Sequence, residues 1–387
     1  MKTIGIAGSR TRSPLRRHGT PSLVVAVLGA LLARPAAAAS SCPSAPTKAA
    51  MGSRLGIAIE FHVENSLLGS EEETDYVLEL SAAARDAGVT VTFGLGRDLL
   101  DDYADDPDGD GYGTDGRTGI ELSRTLAEVV AAIRADCQEV GLHADVNETM
   151  SADDVESLLR GYLSQLRRAG ARTAVASGVC NETPADATGG WLEAARRAGL
   201  RGVAGVVTYC QGSLDPANAH WIDPGSCSPS FPTYCHFAAP EDDATQRVGV
   251  WRANATSSWI DPAARGRVAI IGGIGTIDGF AESNLPCLAE TDARRSCTGY
   301  SNPGDADLDA ASFVARVQAA ERDARTGTVG DTAYQTFSTN VRASSAYVSA
   351  IFQRIVARLA ETTSASGAAL SDVTAFVGLR AVERLNR

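Results

Sequence analysis

The sequence predicts an α/β fold: a distorted (β/α)7-type barrel with long disulfide-bonded loop insertions. Three observations predict it. Short apolar runs alternate with amphipathic helical stretches along most of the chain, which is the pattern of βαβ units and a parallel sheet. Three helical stretches share one punctuation, Asp86-Ala87-Gly88-Val89, Arg168-Ala169-Gly170-Ala171 and Arg197-Ala198-Gly199-Leu200, each a glycine stop followed by an apolar run. About seven such units fit in the chain, which favours a barrel or partial barrel over an open sheet.

In chain order, Leu55–Phe61 reads as the first buried strand. A helix over 71–87 follows, with acids in its first turn and Val77, Leu78 and Leu80 on its apolar side. Residues 89–95 form the next strand, 118–135 a helix and 139–142 a third strand. Ser151 caps a helix that carries Asp153 and Asp154 in its first turn and stops at Gly170. Strands over 173–176, 202–207 and 268–271 then alternate with a helix over 190–198. A helix over 306–324, a strand over 333–338 and a helix over 345–361 complete the reading. Two insertions, 208–266 and 273–305, are rich in Pro, Cys, Ser and aromatics; irregular loops of that length on a compact domain tend to be functional.

The first 39 residues have the layout of an export signal. Lys2, Arg10, Arg12, Arg16 and Arg17 form a basic start without acids, residues 22–33 are apolar, and Pro35-Ala36-Ala37-Ala38-Ala39 offers a small-residue cleavage site. The apolar run is too short to span a bilayer comfortably, so the expectation is a secreted or periplasmic protein with no membrane anchor after cleavage. Residues 40–53 read as a flexible leader, and 54–387 as one domain. A formal net charge of -12 argues against nucleic acid and anionic membranes as partners. All eight cysteines follow the signal, and an even count in an exported chain suggests disulfides. Cys287 with Cys297 is the expected pair, with Cys210, Cys227 and Cys235 stapling the longer insertion.

Two strand ends carry the candidate chemistry. Phe61-His62-Val63-Glu64 and Leu142-His143-Ala144-Asp145 each place a histidine and an acid two residues apart, hence on one face of a strand. The C-terminal ends of parallel strands are where α/β folds hold their sites. A catalytic metal takes about three His or carboxylate ligands and leaves one position open. His62, His143 and Asp145 are the candidate ligands of a divalent metal, zinc first, with Glu64 and Asp145 as candidate catalytic carboxylates. Four such residues can equally do no more than hydrogen-bond one another at a barrel rim. Asp106, Asp108, Asp110 and Asp115 alternate with glycines as in the first half of a calcium loop, and are candidates for a structural calcium ion. In the first insertion Trp221, Tyr234 and Trp251 are candidate platforms for sugar rings, or else a small core around the disulfides.

Residues 139–143, Glu-Val-Gly-Leu-His, resemble the H-E-I-G-x-H strand of the polysaccharide deacetylases, carbohydrate esterase family 4. Residues 176–180 sit where that family has R-x-P-x-G, and 191–200 are similar to its next helix, with the L-x-x-A-G-F ending. The resemblance covers roughly residues 55–210 and implies a deacetylase-type barrel. It further implies metal-dependent removal of acetyl groups from a polysaccharide, which would be the partner. The chain departs from the family at Phe61-His62-Val63-Glu64, in place of F-D-D-G, at Asn147, in place of a second histidine, and at Ala176-Ser177, in place of the arginine. Two rival functions stay open. One is a glycoside hydrolase using carboxylates drawn from Glu60, Glu64, Asp145 and Glu182. The other is a carbohydrate-binding barrel without catalysis.

Overall fold

Nine strands form one curled, mostly parallel sheet. The structure is a computed structural model and describes residues 42, 47–51, 54–63, 69–146, 150–179, 190–204, 249–253, 265–272, 303–325, 332–338 and 345–386. The strands are β1 (Leu55–Val63), β2 (Thr92–Gly96), β3 (Glu139–His143), β4 (Val175–Ser177), β5 (Gly202–Ala204), β6 (Val250–Ala253), β7 (Val268–Ile271), β8 (Thr332–Ser338) and β9 (Thr374–Phe376). Their lateral order is β6-β7-β5-β4-β3-β2-β1-β8, with β9 against β1. Every pairing is parallel except β6 with β7. The result is half a barrel, within the barrel or partial barrel that the sequence predicts. Among the described residues nothing pairs β6 with β8, so the two edges stay apart.

The helices are α1 (Lys48–Met51), α2 (Ser70–Asp86), α3 (Arg97–Ala104), α4 (Leu126–Ala135), α5 (Ala152–Arg168), α6 (Gly190–Ala198), α7 (Pro303–Arg325), α8 (Ser345–Glu361), α9 (Leu370–Val373) and α10 (Leu379–Leu385). No described helix is long and apolar enough to cross a membrane. Helix α4 starts eight residues later than its apolar pattern suggests. Thr125 and Glu128 form a reciprocal capping box there, while the stretch before it bonds elsewhere, as Leu122 N–H does to the Gly113 carbonyl and Ser123 N–H to Glu71.

Alternation along β1 divides its residues between two cores. Ile57, Ile59, Phe61 and Val63 face the helices, where Phe61 stacks on Phe93 at 5.5 Å and meets Phe352 edge-on at 6.0 Å. Ala58, Glu60 and His62 therefore face the inside of the curl. The lower inside is filled by α10, whose Leu379, Ala381 and Val382 pack with Ala58, Val175, Ala204 and Ile271. This segment carries no expectation from sequence. It is anchored by side chains of the sheet: Leu379 N–H donates to Thr92 Oγ1 at 3.0 Å, and Arg380 N–H to Glu139 Oε2 at 2.9 Å. Burial pushes the Glu139 carboxyl up, against the lowering effect of those donors. With one end plugged, His62, His143 and Ser177 are left toward the C-terminal ends of their strands.

Glycine stops end three helices in the left-handed region: Gly88 at φ +70°, Gly170 at +93° and Gly199 at +103°. Helix α4 ends the same way on a non-glycine, Cys137 at φ +64°. Cys137 is disulfide-bonded to Cys42, with 5.2 Å between their Cα atoms. The described part of the leader is thus tied to the turn before β3, and Met51 is buried. The pairs expected among Cys210, Cys227, Cys235, Cys287 and Cys297, like most of both insertions, lie outside the described residues.

Candidate functional site

On the inner face, four polar side chains meet near the C-terminal ends of β1, β3 and β4. His62 Nε2 lies 3.3 Å from Glu60 Oε2. Ser177 Oγ donates to Glu60 Oε1 at 2.7 Å and lies 2.9 Å from His143 Nδ1. The two imidazoles stack, with ring centres 4.2 Å apart and planes 19° apart. All four residues are buried.

The curl makes this contact possible. Strands β1 and β4 are separated by β2 and β3, so on a flat sheet they would lie roughly 14 Å apart, three strand spacings. A 2.7 Å hydrogen bond between Glu60 and Ser177 requires the sheet to fold round toward itself. It also requires clear space between them, which Gly94 on β2 provides. A Cβ there would stand 2.8 Å from Glu60 Oε1 and 3.4 Å from the Cβ of His143. At the next turn, Gly178 takes φ +61°, and a Cβ there would stand 2.9 Å from His143 Cε1.

The electrostatics follow from burial and partners. Burial alone would raise the Glu60 carboxyl. The adjacent His62, by charge and hydrogen bond, then the Ser177 hydroxyl and the His143 charge, bring it net below its ordinary value. A buried carboxylate with these donors is an anchor for both imidazoles.

The sequence-derived candidates fall unevenly on this site. His62 and His143 come together. Asp145 lies beyond the strand: β3 ends at His143, the chain turns left-handed at Asp145 with φ +42°, and the residue is exposed. The two-residue rule for strands stops with the strand. Glu64 lies outside the described residues, as does Glu182. The carboxylate on the inner face of β1 is instead Glu60, two residues before His62, and the same alternation that pairs His62 with Glu64 could have pointed to it. Ser177 carried no functional signal beyond being the polar last residue of a buried strand.

Among the described residues, three possible ligand atoms lie within 4.8 Å of one another in Asp106, Asp108 and Asp110; His62, His143 and Asp145 are not drawn together to that degree. Asp106 also accepts from the N–H groups of Gly109 and Gly111 at 2.8 and 2.9 Å. Asp115 stands apart from that group. It is buried and accepts from the N–H groups of Arg117 and Thr118 at 2.9 and 2.8 Å. Desolvation works to raise its carboxyl, but these donors hold it below its ordinary value. Trp251 is a correction: it is 5% exposed on β6, opposite Ile270 of β7, and belongs to the core between sheet and helices. It offers no open face to a sugar. Trp221 and Tyr234 lie outside the described residues. An open groove of about 1070 Å³ lies away from the cluster, lined by Tyr103, Leu126, Met150, Leu158, Gly161 and Tyr162, where Tyr162 donates to Asp101 at 2.8 Å.

No family model matches the chain, and no curated protein matches it.

Proposed function

We propose that the chain is an exported hydrolase that removes acyl groups from a carbohydrate, with Glu60, His62, His143 and Ser177 as its working centre. The observation that carries this reading is the buried Glu60–His62 and Ser177–His143 network on the inner face of a curled parallel sheet. Parallel sheets place reactive groups at this end because the strand tips are held rigidly and the connecting loops shape access. A buried imidazole oriented by a second group is the recurring part of general-base and metal-assisted hydrolysis alike.

The residues fit a divalent ion, zinc first, in donor type and in support. Imidazole nitrogen is a zinc donor, and each ring here is oriented by a partner behind it. His62 and His143 would hold the ion. When bound, it would polarise the acyl carbonyl and acidify an attacking water. The chain's own groups do the rest. Glu60 holds both imidazole systems in place, and burial keeps bulk water from them. The same reading includes closure of the half-barrel and disulfide bonds within the insertions 208–266 and 273–305.

The test is acetate release by the purified mature protein from acetylxylan and from N-acetylated chitooligosaccharides, together with elemental analysis. Expected are acetate release and one equivalent of a divalent metal, both lost in His143→Ala. Cleavage of glycosidic bonds without acetate release would replace this reading with a glycosidase. Glycan binding with neither reaction would replace it with a binding protein.

A further inference from the structure

We propose that Glu60 and Ser177 together fix the tautomer of His143, keeping hydrogen on Nδ1 and the lone pair on Nε2. The inference deepens the reading of the same site and rests on it for its consequence in catalysis; the proton arrangement itself does not depend on that reading.

The direction of each hydrogen bond follows from what each group can carry. An ionised carboxylate has no hydrogen and only accepts. Ser177 has one hydroxyl hydrogen, and Glu60 Oε1 at 2.7 Å takes it. Toward His143 the serine oxygen therefore has only lone pairs to offer. The contact at 2.9 Å then needs the hydrogen on Nδ1. Glu60 also lies 3.3 Å from His62 Nε2, which in the same way donates to it. One carboxylate thus sets the proton pattern of both rings, directly at His62 and through Ser177 at His143. Ser177 and Glu60 are positioning residues; they act on chemistry only through the imidazoles.

The arrangement has a purpose that a filled core would not need. A buried cluster serving packing alone tolerates either tautomer, provided each polar atom is satisfied. A general base or metal ligand needs its lone pair on one particular nitrogen. The route from β1 to β4 is built for this bond: it crosses two intervening strands, and Gly94 leaves the space through which the Glu60 carboxylate reaches.

The test uses the full mature chain labelled with ¹⁵N-histidine and long-range ¹H–¹⁵N correlation at neutral pH, with His143 assigned by its loss in His143→Ala. The wild type is expected to show a protonated Nδ1, with or without an ion on Nε2. In Glu60→Gln the amide can donate to the serine, whose hydroxyl then turns to Nδ1, so the hydrogen moves to Nε2. Ser177→Ala is expected to lose the Nδ1–H pattern and Ser177→Thr to keep it. A wild-type His143 with hydrogen on Nε2 and none on Nδ1 overturns the proposal. So does a pattern that survives both Glu60→Gln and Ser177→Ala. If Ser177→Ala fails to fold, the wild-type and Glu60→Gln spectra decide. An Nδ1–H pattern in a protein that releases no acetate sinks the hydrolase and leaves the tautomer assignment standing.

Discussion

Replacing Gly94 with alanine tests whether the sheet is shaped around the Glu60–Ser177 contact. Gly94 lies in ordinary extended strand, so alanine meets no backbone obstacle. Its methyl would stand 2.8 Å from Glu60 Oε1, closer than nonbonded atoms tolerate. The carboxylate has to move, and it is fully buried, with His62 on one oxygen and Ser177 on the other. Losing the charge-assisted bond to Ser177 costs about 1.5–3 kcal/mol. Alanine returns about 0.4–1 kcal/mol by restricting the unfolded chain. The net expectation is a loss of about 1–2 kcal/mol in urea unfolding, with the His143 nitrogen pattern disturbed. Gly161→Ala is the matched control. That glycine lies inside α5, a Cβ there would meet nothing within 4 Å, and alanine should gain about 0.5–1 kcal/mol. A Gly94→Ala protein as stable as the wild type, with unchanged histidine signals, would refute the account of the inner face.

Three further outcomes follow from the same structure. The Cys42–Cys137 bridge closes a loop with a sequence separation of 95, for which chain entropy gives about 4–5 kcal/mol, so Cys42→Ser should lower unfolding stability by about 2–5 kcal/mol. Cys137→Gly breaks the same bond but relieves a left-handed non-glycine backbone, and should be about 0.5–1 kcal/mol less harmful in the same assay. The Glu60 carboxyl is lowered in the folded chain from its ordinary 4.5, so its stabilising share is present above that pH and is lost as pH falls through the lower folded value. The stability difference between wild type and Glu60→Gln should shrink as pH falls below 4.5; a difference that grows on acidification below 4.5 would contradict the assignment.

Much of the scaffold was legible in the chain itself. The alternation of apolar runs and helices, and the glycine stops at Gly88, Gly170 and Gly199, are local signals. They depend on backbone conformation and on which face of an element is apolar, and both are written within a dozen residues. The alternating faces of β1 were equally legible, and they put Glu60 and His62 on one face. Helix α3 and the final segment carrying β9 and α10 were not. They are short, at eight, three and seven residues, and they fold because the sheet offers them a surface, as Thr92 and Glu139 do for the start of α10. Cys137 could be read as a cysteine, but its partner Cys42 could not, since pairing depends on distance in space.

The division between the two levels runs through the centre of the site. Sequence alone determined that a histidine stands at or beside the end of β1 and of β3. Only the tertiary structure decided that Glu60 joins them, and that Ser177 from β4 completes the group. The physical reason is curvature. A strand's own alternation says which side a residue faces, whereas the rolling of four strands into an arc decides which distant side chains that side brings within hydrogen-bond reach.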